Sequence, residues 1–130
     1  MYQNRCAINI YKKLNLHSLK EKVLNANPKE LIEILFEILH SELKRAVFLI
    51  QNKKTPMKGE SISYAISIIA SGLIPALKKD DNFFLVRNLK SLYVYCICVL
   101  TEANLKNDTK KIRHVDFLLR KISSAWSSIK

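Results

Sequence analysis

Glycine and proline are scarce in this sequence, with two and three residues respectively in a chain of 130. A β-sandwich or barrel needs frequent turns and the residues that make them, so this shortage argues against a turn-rich β architecture and for long helices. Acidic residues are scarce too: 11 stand against 22 Lys and Arg, for a net charge of +11. Cysteine is limited to Cys6, Cys96 and Cys98, an odd number without metal-ligand spacing. On a helix Cys96 and Cys98 point roughly 200° apart, which excludes a shared metal or a disulfide between them. They read as small packing residues, with Cys6 as one thiol near the N-terminus. No signal peptide is visible, because residues 1–13 alternate polar, basic and apolar side chains. The longest uncharged stretch, residues 61–77, falls short of the ~20 apolar residues of a spanning helix. Several Ser, a Tyr, a Gly and a Pro also interrupt it. A buried helix is expected there, and the protein is expected to be soluble and cytoplasmic.

What is present is apolar surface, 48% of all residues, enough for the core of one compact domain. The expectation is a single domain over residues 1–130: an N-terminal arm over 1–26, mobile or short-helical, and an antiparallel four-helix bundle over 27–130. The first helix is announced by Asn27-Pro28-Lys29-Glu30. Asn27 can cap, Pro28 suits the first helical position, and Glu30 can complete a capping box. Leu31, Leu35, Ile38, Ala46 and Leu49 carry the helix to about Gln51, and residues 52–56 break it. A second helix is expected from about Gly59 to Leu77, striped by Ile62, Ile66, Ile69, Leu73 and Leu77. A kink or early stop is expected near Gly72 and Pro75. The third, from about Asn82 to Leu105, carries Leu85, Leu89, Leu92, Cys96, Val99 and Ala103, widened by Phe84, Tyr93, Tyr95, Ile97 and Leu100. So little of it is polar that it is either central or has a second apolar face for a partner. Asn107-Asp108 stops it and caps the fourth, in which Ile112, Val115, Leu119, Ile122, Trp126 and Ile129 keep a bundle seam.

The search for chemistry yields no catalytic, cofactor-binding or metal site. His17, His40 and His114 are scattered. Glu37 and His40 form an ExxH pair, but a di-metal bundle needs a second copy and further carboxylates, so a solvated polar edge is expected. Neither a phosphate-binding glycine loop nor a Gly-flanked serine occurs. A binding or scaffolding protein is expected rather than an enzyme. The positive charge suits nucleic acid, anionic membrane or an acidic partner. Its basic groups are short and not interleaved with aromatics, unlike a stacking surface. A small basic helical nucleic-acid-binding protein is the alternative reading, and a self-associating structural subunit a further one.

The order of landmarks then becomes informative. Tyr2 and Tyr11 lie in the arm, and Ala26-Asn27-Pro28-Lys29-Glu30-Leu31 precedes Leu35-Phe36-Glu37. Ala65-Ile66-Ser67-Ile68-Ile69 leads to Gly72-Leu73. Asn88-Leu89 stands before Leu92-Tyr93-Val94-Tyr95, and Leu100-Thr101-Glu102-Ala103-Asn104-Leu105-Lys106-Asn107-Asp108 closes the third helix. Leu118-Leu119 and Ala125-Trp126 follow. In order and spacing the chain resembles the flagellar secretion chaperone FliS family over nearly its whole length. Cys98-Val99 stands where relatives often carry two arginines.

The resemblance implies a cytosolic export chaperone without cofactor. It would bind the disordered C-terminal region of flagellin, prevent premature polymerisation and keep it competent for type III secretion, with an export component as a further partner. It places flagellin contacts at Leu85, Leu89, Leu92, Tyr93, Leu100 and Ala103, which would line grooves. Asn88, Asn104 and Asn107 would bond the partner backbone. For Leu89, Leu92 and Leu100 ordinary core packing stands beside that reading, and for Asn107 helix capping. Ile8 and Tyr11 would belong to an arm that folds over the apolar groove until the client binds.

Overall fold

The computed structural model describes residues 27–77 and 82–128. Four helices run through them: α1 (Pro28–Gln51), α2 (Thr55–Ile68), α3 (Phe83–Lys106) and α4 (Thr109–Ser128). The protein is an all-α bundle, with no strand among the described residues. The arm over residues 1–26 lies outside them. α1 packs on α2 and α4, and α3 packs on the same two helices, so α1 and α3 stand diagonally. The connections at 52–54 and 107–108 are too short for anything but antiparallel neighbours.

Local chemistry sets the helix ends. Asn27 Oδ1 accepts from Glu30 N–H at 2.8 Å. Glu30 answers through its carboxylate, which accepts from the side-chain amide of Asn27 at 2.7 Å rather than from its backbone. α1 ends in a Schellman turn: Lys54 N–H donates to the Leu49 carbonyl and Lys53 N–H to that of Ile50. Lys53 adopts a left-handed conformation there (φ 58°), unfavourable for a side chain with a Cβ. Asn107 does the same for α3 (φ 53°), a position asparagine tolerates better. Asp108 Oδ1 then accepts from the backbone N–H groups of Lys110 and Lys111 to open α4.

One boundary differs from expectation. α2 begins at Thr55 rather than near Gly59, because Pro56 falls in its first turn, where a missing N–H costs nothing. The early stop expected near Gly72 is found: the helix widens into a π-helical turn over Ile69–Leu73 and ends there. Gly72 allows a close approach: a Cβ there would stand 2.9 Å from Leu35 Cδ1.

The core is built mainly on α1, where Leu35, Leu39, Leu43 and Ala46 share a buried cluster with Ile62, Ala65 and Ile68 of α2 and Ile69 of the π-helical turn. Burying each of the larger side chains contributes about 1.5–3 kcal/mol. From α3 only Tyr93, Cys96, Leu100 and Ala103 are buried, and from α4 Ile112, Val115 and Leu119.

Candidate functional site

The beginning of α3 is poorly packed. Asn82 Oδ1 caps it by accepting from Phe84 N–H at 3.0 Å and Leu85 N–H at 3.2 Å. Yet Phe83, Phe84 and Leu85 are all more than half exposed. Leu89 and Leu92 are partly buried, and Tyr93 is the first residue of the helix to reach the core. The gap they leave is an apolar cleft of about 360 Å³ at the end of the bundle. Leu85, Leu89, Leu92 and Tyr93 form its α3 wall. Opposite stand Ile32 and Phe36 from the start of α1, Leu73 from the π-helical turn that follows α2, and Ala76 and Leu77 just beyond it. Leu118, Ile122, Ala125 and Trp126 of α4 close it. Antiparallel packing is what brings two helix starts and two helix ends to one place.

Among the described residues on the walls Lys121 alone is charged, and its ammonium lies 4.7 Å from the centre of the Phe117 ring. Burial, reinforced by neighbouring Cys96, holds the Tyr93 phenol far above its ordinary range. Burial pushes the Cys96 thiol up to about 11. Both are therefore neutral near pH 7, so neither offers a base or a thiolate nucleophile. The buried Trp126 indole N–H has no hydrogen-bond partner. Such a site is suited to binding an apolar segment rather than to chemical conversion.

Four of the residues singled out in the sequence thus come together: Leu85, Leu89, Leu92 and Tyr93. Asn88 is exposed on the same part of α3. Leu100 and Ala103 have no exposed surface and belong to the core. Asn104 lies at the far end of the helix, ~16 Å along the axis from Tyr93. There the buried Lys58 ammonium donates to the Asn104 carbonyl, and to its Oδ1 at 2.8 Å. The cation closes the carbonyl end of α3, where the helix dipole favours it. Asn107 supplies the left-handed turn that ends α3. Ile8 and Tyr11 lie outside the described residues. The α1, α2 and α4 walls were not anticipated as a site, because helical periodicity marks a buried stripe without saying whether a helix or a cleft faces it.

Other expectations concern scattered residues. His40 is not simply solvated: its Nδ1 lies 2.7 Å from Asp116 Oδ1, joining α1 to α4. His114 Nε2 lies 3.1 Å from the Tyr95 hydroxyl. No group of three potential metal ligands occurs among the described residues. Cys96 packs in the core as expected, but Cys98 is exposed, since it projects from the opposite side of α3.

The family model for the flagellar protein FliS matches residues 10–130. The chain belongs to the FliS family. The flagellar secretion chaperone FliS of Salmonella typhimurium is 39% identical over 112 residues, covering 86% of this chain and 83% of that protein. That of Escherichia coli is 38% identical over 104 residues, 80% and 76% of the two chains. The flagellar secretion chaperone FliSB of Pseudomonas aeruginosa is 38% identical over 112 residues, 86% and 88%. FliS is a chaperone family and not an enzyme family, and its place in flagellar secretion implies a flagellar protein as partner. α3 is long and apolar enough to cross a membrane by length and composition alone. In this FliS-family bundle its Tyr93, Cys96, Leu100 and Ala103 are buried against the other helices.

Proposed function

We propose that the protein is a cytosolic export chaperone that holds the disordered C-terminal segment of flagellin, blocks its premature polymerisation and keeps it competent for type III secretion. The observation that carries this reading is the apolar cleft of about 360 Å³ in a chain of the FliS family. An amphipathic segment that would otherwise polymerise must have its apolar stripe covered, and a cleft walled by four helices covers one. Leu85, Leu89, Leu92 and Tyr93 receive the apolar side chains, and Asn88 beside them bonds the client backbone. Ile8 and Tyr11 are assigned to the same contact on the resemblance alone, and deleting residues 1–11 tests them. Leu100, Ala103, Asn104 and Asn107 support α3 and are not needed as contacts.

Calorimetric titration with the flagellin C-terminal segment at low and high salt tests the reading. Saturable one-to-one binding that survives high salt, with a negative heat-capacity change, is expected. Leu89→Glu should weaken it by about tenfold or more, because a carboxylate would enter an apolar wall. The single tryptophan, Trp126, gives an independent fluorescence signal from within the cleft. Absence of binding at both salt concentrations would overturn the proposal.

A further inference from the structure

A second concave surface lies along the side of the bundle, between α1 and α4. Its α1 edge is the face formed by His40, Lys44, Phe48 and Gln51, and its α4 edge carries Arg113, Asp116 and Arg120. The cavity there is about 360 Å³. It runs on past His40 and Asp116 into a further 180 Å³ beside Phe36, Glu37 and Ser123. From Phe36 to Gln51 the groove is ~22 Å long, about four turns of a helix.

The charges along it are uneven. Asp116 is already engaged, by His40 at 2.7 Å and by Arg120 Nε at 3.8 Å. Lys44 and Arg113 therefore leave the Gln51 end positive, while Glu37 is the other carboxylate and sits at the opposite end. Amid the cations Phe48 is 60% exposed, an apolar side chain that the fold does not use. Cations around an unused aromatic ring match a segment with carboxylates beside apolar side chains. A nucleic-acid strand fits less well, because two carboxylates line the groove and a single exposed ring offers no stacking series. The segment that suits the apolar cleft is also chemically different, since among the described residues Lys121 is the one charge there.

We propose that the α1–α4 groove docks an acidic amphipathic helix of a second protein partner, independently of the apolar cleft. The partner helix lies between α1 and α4 with its apolar side on Phe48 and Val47 and its carboxylates toward Lys44 and Arg113.

The test uses the full-length protein and a fluorescein-labelled synthetic helix of about four turns, with Glu on one face and Leu and Phe on the other, followed by anisotropy. A peptide with Lys in place of Glu and a single-stranded oligonucleotide serve as comparisons. Lys44, Phe48 and Arg113 are exposed, so the variants should keep the fold, and circular dichroism checks this. The double variant Lys44→Glu, Arg113→Glu should weaken the acidic peptide by at least about tenfold. Phe48→Ser should cost about fivefold, while Leu89→Glu in the cleft leaves binding unchanged. Four results would overturn the proposal. The acidic peptide fails to bind or binds the double variant equally well; Leu89→Glu weakens it as much as the charge reversals, placing it in the cleft; or only the oligonucleotide responds to the reversals.

Discussion

Helices α1 and α3 have the same length, 24 residues, and both are rich in apolar side chains, yet they are used in opposite ways. Eleven residues of α1 are buried, and four of α3. α1 has a wide inner face that packs on both α2 and α4. α3 commits a narrow stripe to the bundle and leaves Phe83, Phe84, Leu85, Val94, Tyr95 and Leu105 at the surface. Thr101, also exposed, satisfies its hydroxyl on its own helix by donating to the Ile97 carbonyl at 2.8 Å. Apolar composition thus says how much surface a helix has to cover, while its neighbours decide how much is covered from within the chain. Surface left over on a FliS-family helix is available to a partner.

The strongest way to break this contrast is to truncate both helices. Leu43→Ala, at a position with no exposed surface, should lower stability by about 2–5 kcal/mol. Leu105→Ala, 81% exposed, should stay within about 0.5 kcal/mol. Urea denaturation measures both, and a comparable loss at Leu105 would show that the outer face of α3 is packed after all. Next in size is Lys58→Met, which removes both bonds to Asn104 and should cost about 1–3 kcal/mol. A neutral result would mean that water closes the carbonyl end of α3 equally well.

The two helix ends sharpen the comparison further. Lys53→Gly relieves a left-handed lysine and should stabilise by up to about 1 kcal/mol. Asn107→Gly should gain less, because asparagine already tolerates that conformation. The smallest effect belongs to Glu102, half-exposed on α3. Its carboxyl is held below the ordinary range by the hydrogen bond from Lys106 and by the Lys111 charge. A depressed folded value means that its contribution is present above the unfolded value and is lost as pH falls through the folded one. Glu102→Gln should therefore lower Tm slightly at neutral pH, and the difference should vanish in acid.

The helices were largely legible in the sequence because their signals are local. Asn27-Pro28 started α1 as expected, Asn107-Asp108 separated α3 from α4, and the α1 stripe through Leu31, Leu35, Ile38, Ala46 and Leu49 is buried throughout. The start of α2 lies earlier than the run of turn residues suggests, because Pro56, a breaker inside a helix, is accepted in a first turn. The candidate site was only partly legible. Leu85, Leu89, Leu92 and Tyr93 were identified on α3, but Leu100 and Ala103 share the same spacing and are core. Their periodicity is the same; what differs is whether the facing helices meet α3 at that height.

The sequence by itself determined an all-helical chain, the helix ends that capping and left-handed turns dictate, and the ordered landmarks of the FliS family. These depend on neighbours within a few residues, where hydrogen bonding and side-chain spacing act directly. Only the tertiary structure decided which apolar residues became core and which became cleft. It also decided that Lys58 would close the end of α3, and that Phe48 would be left among cations on the α1–α4 groove. Those outcomes depend on contacts between residues far apart in the chain, and burial is fixed by what lies opposite a side chain rather than by what stands beside it in sequence.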